Sequence, residues 1–194
     1  MTAPFLERDL DVLAPLTWGA YLALPFETRN MDLVDGRIVV NSPGAVHELV
    51  LRRLSLAFEL WAQSHFDPGE LSTQQPIGIT NDRGYQPDLA WWPESQCSAP
   101  DDSLTLIGLP SIVLEVLSPS TRRFDLVRKL RDYEAIGIAE FWTIDPVTKT
   151  ATLHRRSTAD SGFDLAVSVS TDGSISTPLL PGFEVNLASL FRRR

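Results

Sequence analysis

A chain of 194 residues, 43% hydrophobic and 22% charged, is long enough to bury one sizeable core and too short for two comfortable ones. Its net charge of −8 and pI near 4.8 argue against a protein that coats nucleic acid by charge alone; the single cysteine, Cys97, excludes an internal disulfide, and His47, His65 and His154 are too scattered for a zinc site. The N-terminus lacks the basic-then-apolar pattern of a secretory signal and no apolar run approaches a membrane span, so the expectation is one cytoplasmic domain with no membrane partner.

Residues up to about Asn30 are broken by Pro4, Pro15 and Pro25 and read as an N-terminal extension (1–30) packed on the domain, with a short helix near Leu16 to Leu24. Met31 to Val40 reads as a β-hairpin, because Asp35-Gly36 is a favoured two-residue turn and Arg37 to Val40 is β-rich. Ser42 as N-cap and Pro43 at the first helical position predict a long helix to about Ser64. Its polar stripe of Glu48, Arg52, Ser55, Glu59 and Gln63 opposes an apolar face of Val46, Leu49, Val50, Ala57, Leu60 and Trp61, widened by Leu51, Leu54 and Phe58, and His47 sits beside this wider face.

Glu70 to Ile79 reads as a strand, Asn81 to Gly84 as a turn, and Tyr85 to Trp92 as a short strand with Asp88 at its entry. Pro93 to Pro110 has the Ser, Asp and Pro content of a surface loop. Ser111 to Leu117 is apolar on both alternating faces, as in a central strand covered on both sides, and its lone charge is Glu115. A bare carboxylate there costs several kcal/mol unless a cation, a proton or hydrogen bonds compensate it.

Pro119 ends this strand, and Ser120 or Thr121 can cap a helix from about Arg122 to Ile136, on which Asp125 and Lys129 share a face. Arg122, Arg123, Arg128, Lys129 and Arg131 make this helix locally basic despite the acidic total. Gly137 stops it. Glu140 to Asp145, Thr150 to Arg155 and Phe163 to Ser170 follow as strands, and a helical turn from Asn186 to Phe191 precedes a basic tail (192–194). This order predicts an α/β or α+β domain over 31–191, a mixed sheet flanked by two main helices.

Asp88 and Glu115 both fall at strand positions joined by a loop that permits adjacent placement. Paired carboxylates suit Mg²⁺ or Mn²⁺, since hard cations take oxygen ligands and keep several waters. A nearby lysine can orient or deprotonate an attacking water and offset charge that develops on a phosphate.

Pro87-Asp88, then Ile112-Val-Leu-Glu-Val-Leu-Ser-Pro-Ser-Thr121, Asp125, Lys129, Tyr133 and Gly137-Ile-Ala-Glu-Phe-Trp-Thr-Ile-Asp-Pro146 resemble the bacterial Uma-type putative restriction endonuclease family, within the PD-(D/E)XK nuclease superfamily. The likeness extends from Asp32 to Arg37, Ser42-Pro43 and His47 through Leu180 to Phe183 and Leu190-Phe191. The resemblance implies a restriction-endonuclease-like core with extra β-hairpins, DNA as the substrate, Mg²⁺ or Mn²⁺ as the cofactor and a homodimer. It makes Asp88 the motif aspartate and Glu115 the second acid. The superfamily's usual lysine place, two residues after that acid, is Leu117 here, and the family pattern instead assigns Lys129 on the following helix.

His47, Arg122, Arg123 and Asp125 are candidates to contact substrate. Each residue also has a structural reading. Asp88 can cap a turn, Glu115 can serve an ion pair, Asp125 and Lys129 can form an ordinary i,i+4 pair, and His47 can be a hydrogen-bonded residue beside the core. Tyr133 reads as a packing residue with its hydroxyl satisfied. The alternative function is a non-catalytic binding or assembly module on the nuclease fold; no G-x-S-x-G elbow supports a serine hydrolase.

Overall fold

The structure, a computed structural model, describes residues 15–24, 30–98, 105–106, 108–118 and 122–192. Most of the expected N-terminal extension, the cap at Ser120 or Thr121, the Arg123 side chain and the last two arginines of the tail lie outside these residues. In chain order the elements are α1 (Trp18–Leu22), β1 (Met31–Val34), β2 (Arg37–Val40), α2 (Ala45–Ala62), β3 (Glu70–Thr73), β4 (Ile77–Thr80), β5 (Arg83–Tyr85), β6 (Leu89–Trp92), β7 (Cys97–Ser98), β8 (Thr105–Leu106) and β9 (Ile112–Val116). There follow α3 (Arg122–Phe124), a π-helical turn (Asp125–Lys129), α4 (Leu130–Ile136), β10 (Glu140–Asp145), β11 (Thr150–Arg155), β12 (Leu165–Val169), β13 (Ser174–Ser176), β14 (Glu184–Asn186) and α5 (Leu187–Phe191). The fold is mixed α+β, and contacts divide it into two compact units: one from the described residues of Met1–Asn41 with Pro76–Gln86, the other from Ser42–Gln75 with Pro87–Arg194.

In the first unit, the Thr17 hydroxyl accepts a hydrogen bond from the Ala20 amide and so caps α1. Asp35 and Gly36 both take positive φ (51° and 74°), which a type I′ turn requires at each central residue, and this joins β1 to β2 as the Asp-Gly pair predicts. The sheet order is β2-β1-β5-β4, and Gly78 pairs with Gly84 across β4 and β5. The Trp18 indole lies on both glycines. A Cβ at Gly84 would stand 2.0 Å from the Trp18 ring, so the pair is a slot for that side chain. Buried Tyr21 stacks on Trp18 and donates to the Met31 carbonyl at 2.6 Å; burial, then the charge of Asp32, pushes its pKa up to about 12.

The second unit is built on a six-stranded sheet of order β12-β11-β10-β9-β6-β3. Only β9 and β10 run parallel, and α3, the π turn and α4 form the crossover between them. Strand alternation divides β9 between two covered faces. Ile112, Leu114 and Val116 join Trp142, Ile144 and Leu153 in a core completed by Val50, Leu54 and Phe58 of α2 and by Leu187 and Leu190 of α5. Each such side chain, fully buried, contributes roughly 1.5–3 kcal/mol. Arg53 ties α2 to α5 by donating to the carbonyls of Ser189 and Leu190. On the opposite face Tyr133 of α4 packs against Phe141 of β10, with ring centroids 5.2 Å apart. Gly137, at φ 95°, takes the left-handed conformation that ends α4.

Several boundaries differ from expectation. The long helix starts at Ala45 with Gly44 as its N-cap, after Ser42 and Pro43 have led in as extended chain. Glu70 to Ile79 is two strands in two different sheets, because Gln74 turns the backbone to φ 55° and Pro76 follows. Tyr85 to Trp92 is also two strands, divided at Gln86 and Pro87, where proline cannot donate to a ladder. The expected loop after Pro93 holds a 3₁₀ turn (Glu94–Gln96) and the small β7–β8 pair.

Candidate active site

Two strands and two helices place the side chains. β6 pairs antiparallel with β9 through Leu89↔Leu114, and Asp88 stands one residue before β6, beside the end of β9 that carries Glu115 and Val116. The Val116 amide, at 2.7 Å, donates to Asp88 Oδ2 and holds the aspartate at the mouth of this strand pair. Glu115 itself lies mid-sheet between β6 and β10, only 4% exposed.

Compensation for that buried carboxylate comes from the crossover. Lys129 Nζ donates to Glu115 Oε1 at 2.8 Å and lies 3.6 Å from Asp125 Oδ1, with Lys129 and Asp125 2% and 3% exposed. The Tyr133 hydroxyl donates to the same Glu115 oxygen at 3.3 Å. The crossover departs from the plain α-helix that the sequence predicts. The Leu130 amide reaches back to the Asp125 carbonyl, five residues away, so the turn from Asp125 to Lys129 is π-helical. This wider turn sits where the two charged side chains enter the interior, a placement typical of π turns at functional sites.

His47 approaches from the first turn of α2. Its Nε2 is 2.9 Å from Asp88 Oδ2, and since an ionised carboxylate only accepts, that nitrogen is the donor. Nδ1 is buried without a hydrogen-bond partner among the described residues and stands 3.7 Å from Glu48 Oε1. Burial acts to lower the His47 pKa, but the hydrogen bond and charge of Asp88, with the charges of Glu48 and Asp125, outweigh it and hold it above the ordinary 6.5.

His47, Asp88, Glu115, Asp125 and Lys129 thus meet at one place. Arg122 is bonded instead to Asp145 Oδ2 at the C-terminal end of β10, two residues beyond Thr143, the ladder partner of Glu115, and is 45% exposed on its side chain. Arg128 lies over the Phe124 ring, 5.8 Å from its centroid. Sequence reasoning missed the bond from Tyr133 to Glu115 and the role of Asp145 as a hub that also accepts from the Val147 and Thr148 amides and the Thr148 hydroxyl. An Asp-Pro turn after a strand was the available signal for that hub.

The arrangement brings the carboxylates of Glu115 and Asp125 against the Lys129 ammonium, with the Asp88–His47 pair beside them. Among the described residues no three His, Cys, Asp or Glu side chains are gathered tightly enough to enclose a metal by themselves. The chemistry on offer is therefore a largely buried, oxygen-rich, anionic site with a fixed cationic donor. No helix among the described residues is long and apolar enough to cross a membrane.

Comparison with known proteins bears on this site. Residues 18–188 match the model of the family Uma2, described as "Putative restriction endonuclease". Among solved structures, the fold is similar to a protein from Anabaena variabilis ATCC 29413 titled a putative nuclease belonging to DUF820, with a TM-score of 0.74 and 17% identity over 91% of this chain and 98% of that one. No protein with a curated description is similar to this chain in sequence.

Proposed function

The chain belongs to the Uma2 family, described as "Putative restriction endonuclease", and we propose that it is a metal-dependent DNA endonuclease working through Asp88, Glu115 and Lys129. The observation that carries this reading is that Asp88, at the entry to β6, is bonded to the Val116 amide next to Glu115 on β9, with buried Lys129 bonded to Glu115. The residues fit a hard divalent cation, because carboxylate oxygens outnumber the positive charge of Lys129. Asp88 and Glu115 would hold Mg²⁺ or Mn²⁺, with water and substrate phosphate as the other ligands. Such an ion, when bound, polarises the phosphate and lowers the pKa of water.

The protein's own groups supply position. Lys129, fixed by Glu115 and Asp125, aims N–H donors where an attacking water and the charge developing on phosphate would lie. Asp125 acts through Lys129 and keeps its rotamer. Attack in line on phosphorus breaks the bond to the 3′ oxygen, leaving a 5′-phosphate and a 3′-hydroxyl. DNA is the partner in this reading, and the working unit is a homodimer, which light scattering on the purified protein would detect.

The test is a time course of plasmid and single-stranded DNA cleavage with Mg²⁺ or Mn²⁺, followed by EDTA, beside Glu115→Gln. The amide keeps the size of Glu115 and an acceptor for Lys129. Cleavage lost in EDTA and in the variant supports the proposal. An unchanged rate in the folded variant removes Glu115 from the chemistry, and no cleavage with no metal uptake moves the reading to a binding or assembly module.

A further inference from the structure

Asp88 has two carboxylate oxygens in unequal surroundings. Oδ2 accepts from the Val116 amide at 2.7 Å and from His47 Nε2 at 2.9 Å. Oδ1 has no hydrogen bond among the described residues. An aspartate side chain has two torsions to fix, and a single amide on one oxygen leaves the carboxylate free to swing about that bond. A second donor on the same oxygen, from a different element, stops the rotation.

The element that brings this donor is rigid. His47 precedes Val50, Leu54 and Phe58 by three, seven and eleven residues, so it stands on the stripe of α2 that those side chains bury in the core. Arg53, on the same helix, is clamped to the carbonyls of α5. Nε2 of His47 is thus committed to Asp88.

We infer that His47 is a positioning residue, which locks Asp88 through Oδ2 and so presents Oδ1 as the oxygen offered to a divalent cation. This rests on the metal-dependent reading above and adds to it the residue that prepares the ligand. Partners of this kind orient ligating carboxylates, and their loss typically costs 10–100-fold in metal affinity.

The experiment is a calorimetric titration of Mn²⁺ into the full-length wild type, His47→Phe and His47→Gln, with thermal unfolding of each as a check on folding. Phenylalanine keeps the ring on the apolar stripe and removes the donor; glutamine places an amide N–H near the position of Nε2. The expected result is a Mn²⁺ affinity about 10–100-fold weaker in His47→Phe, with His47→Gln close to wild type. Should His47→Phe fail to fold, His47→Asn takes its place, since its amide stops short of Asp88 and predicts the same loss. A folded donor-free variant that binds Mn²⁺ as the wild type does overturns the positioning role and leaves the metal reading standing, as does a folded His47→Gln that loses as much as His47→Phe. A wild type that takes up no Mn²⁺ overturns both.

Discussion

Replacing Lys129 by methionine removes one ammonium while keeping most of the side chain's length, and the structure dictates what that leaves behind. Glu115 and Asp125, 4% and 3% exposed, lose the cation that lies 2.8 Å from one and 3.6 Å from the other. The Tyr133 hydroxyl still donates to Glu115, at a longer 3.3 Å. Breaking a buried pair from one side costs about 3–5 kcal/mol, because the remaining charge stays desolvated. With a urea m-value of about 2 kcal/mol/M, the midpoint should fall by roughly 1.5–2.5 M. The assay is urea unfolding followed by tryptophan fluorescence, which reports this region because Trp61, Trp91, Trp92 and Trp142 all belong to the unit that holds the site. Combining Lys129→Met with Glu115→Gln should recover a large part of the loss, since the double variant no longer buries the Glu115 charge without its lysine. A single variant that loses less than about 1 kcal/mol, the range of an exposed pair, would refute the account of a buried, mutually dependent pair.

Other perturbations have equally definite outcomes. Asp145→Asn should cost about 1–3 kcal/mol at neutral pH through its charged hydrogen bonds. Burial would raise the Asp145 carboxyl, yet Arg122, Thr148 and two amides outweigh it and hold it below 3.8; the stability it gives is present above 3.8 and lost as pH falls through the lower folded value, so acid unfolding curves of the wild type and variant should converge there. His154 is kept below 6.5 chiefly by burial, despite the opposing charge of Glu134. The unfolded chain therefore takes up its proton first on acidification, and stability should decline as pH drops from 6.5 through the folded value, a slope that His154→Gln should flatten in denaturant titrations at stepped pH. Gly84→Ala drives a methyl into the Trp18 ring, and should lower stability by about 1–3 kcal/mol and shift Trp18 emission toward the red as the indole leaves its slot.

Much of the candidate site's membership was legible in the chain, for reasons that particular residues make plain. Glu115 stood out because it interrupts an apolar run, and Asp88 because Pro87 marks a strand entry; both signals are local. Their mutual placement depends on the antiparallel register of β6 on β9, which no local pattern specifies. Lys129 was reached through the family resemblance, and its bond to Glu115 spans 14 residues. The π turn was not legible, since Asp125-Leu-Val-Arg-Lys129 has the spacing of an ordinary i,i+4 pair; the widened turn is seen only where it meets the sheet. The division of Glu70 to Ile79 between two sheets likewise hangs on one left-handed residue, Gln74, of a type that rarely takes that conformation. The bond from His47 to Asp88 joins residues 41 apart, and sequence could place His47 only beside the core, without its partner.

The most direct measurement of the central claim is electron paramagnetic resonance of Mn²⁺ titrated into the wild type, Asp88→Asn and Glu115→Gln, read as bound ion per chain. The account predicts one bound Mn²⁺ in the wild type and its loss in each variant, because the two carboxylates share it. A wild type with no bound Mn²⁺, or folded variants that retain it, would contradict the account.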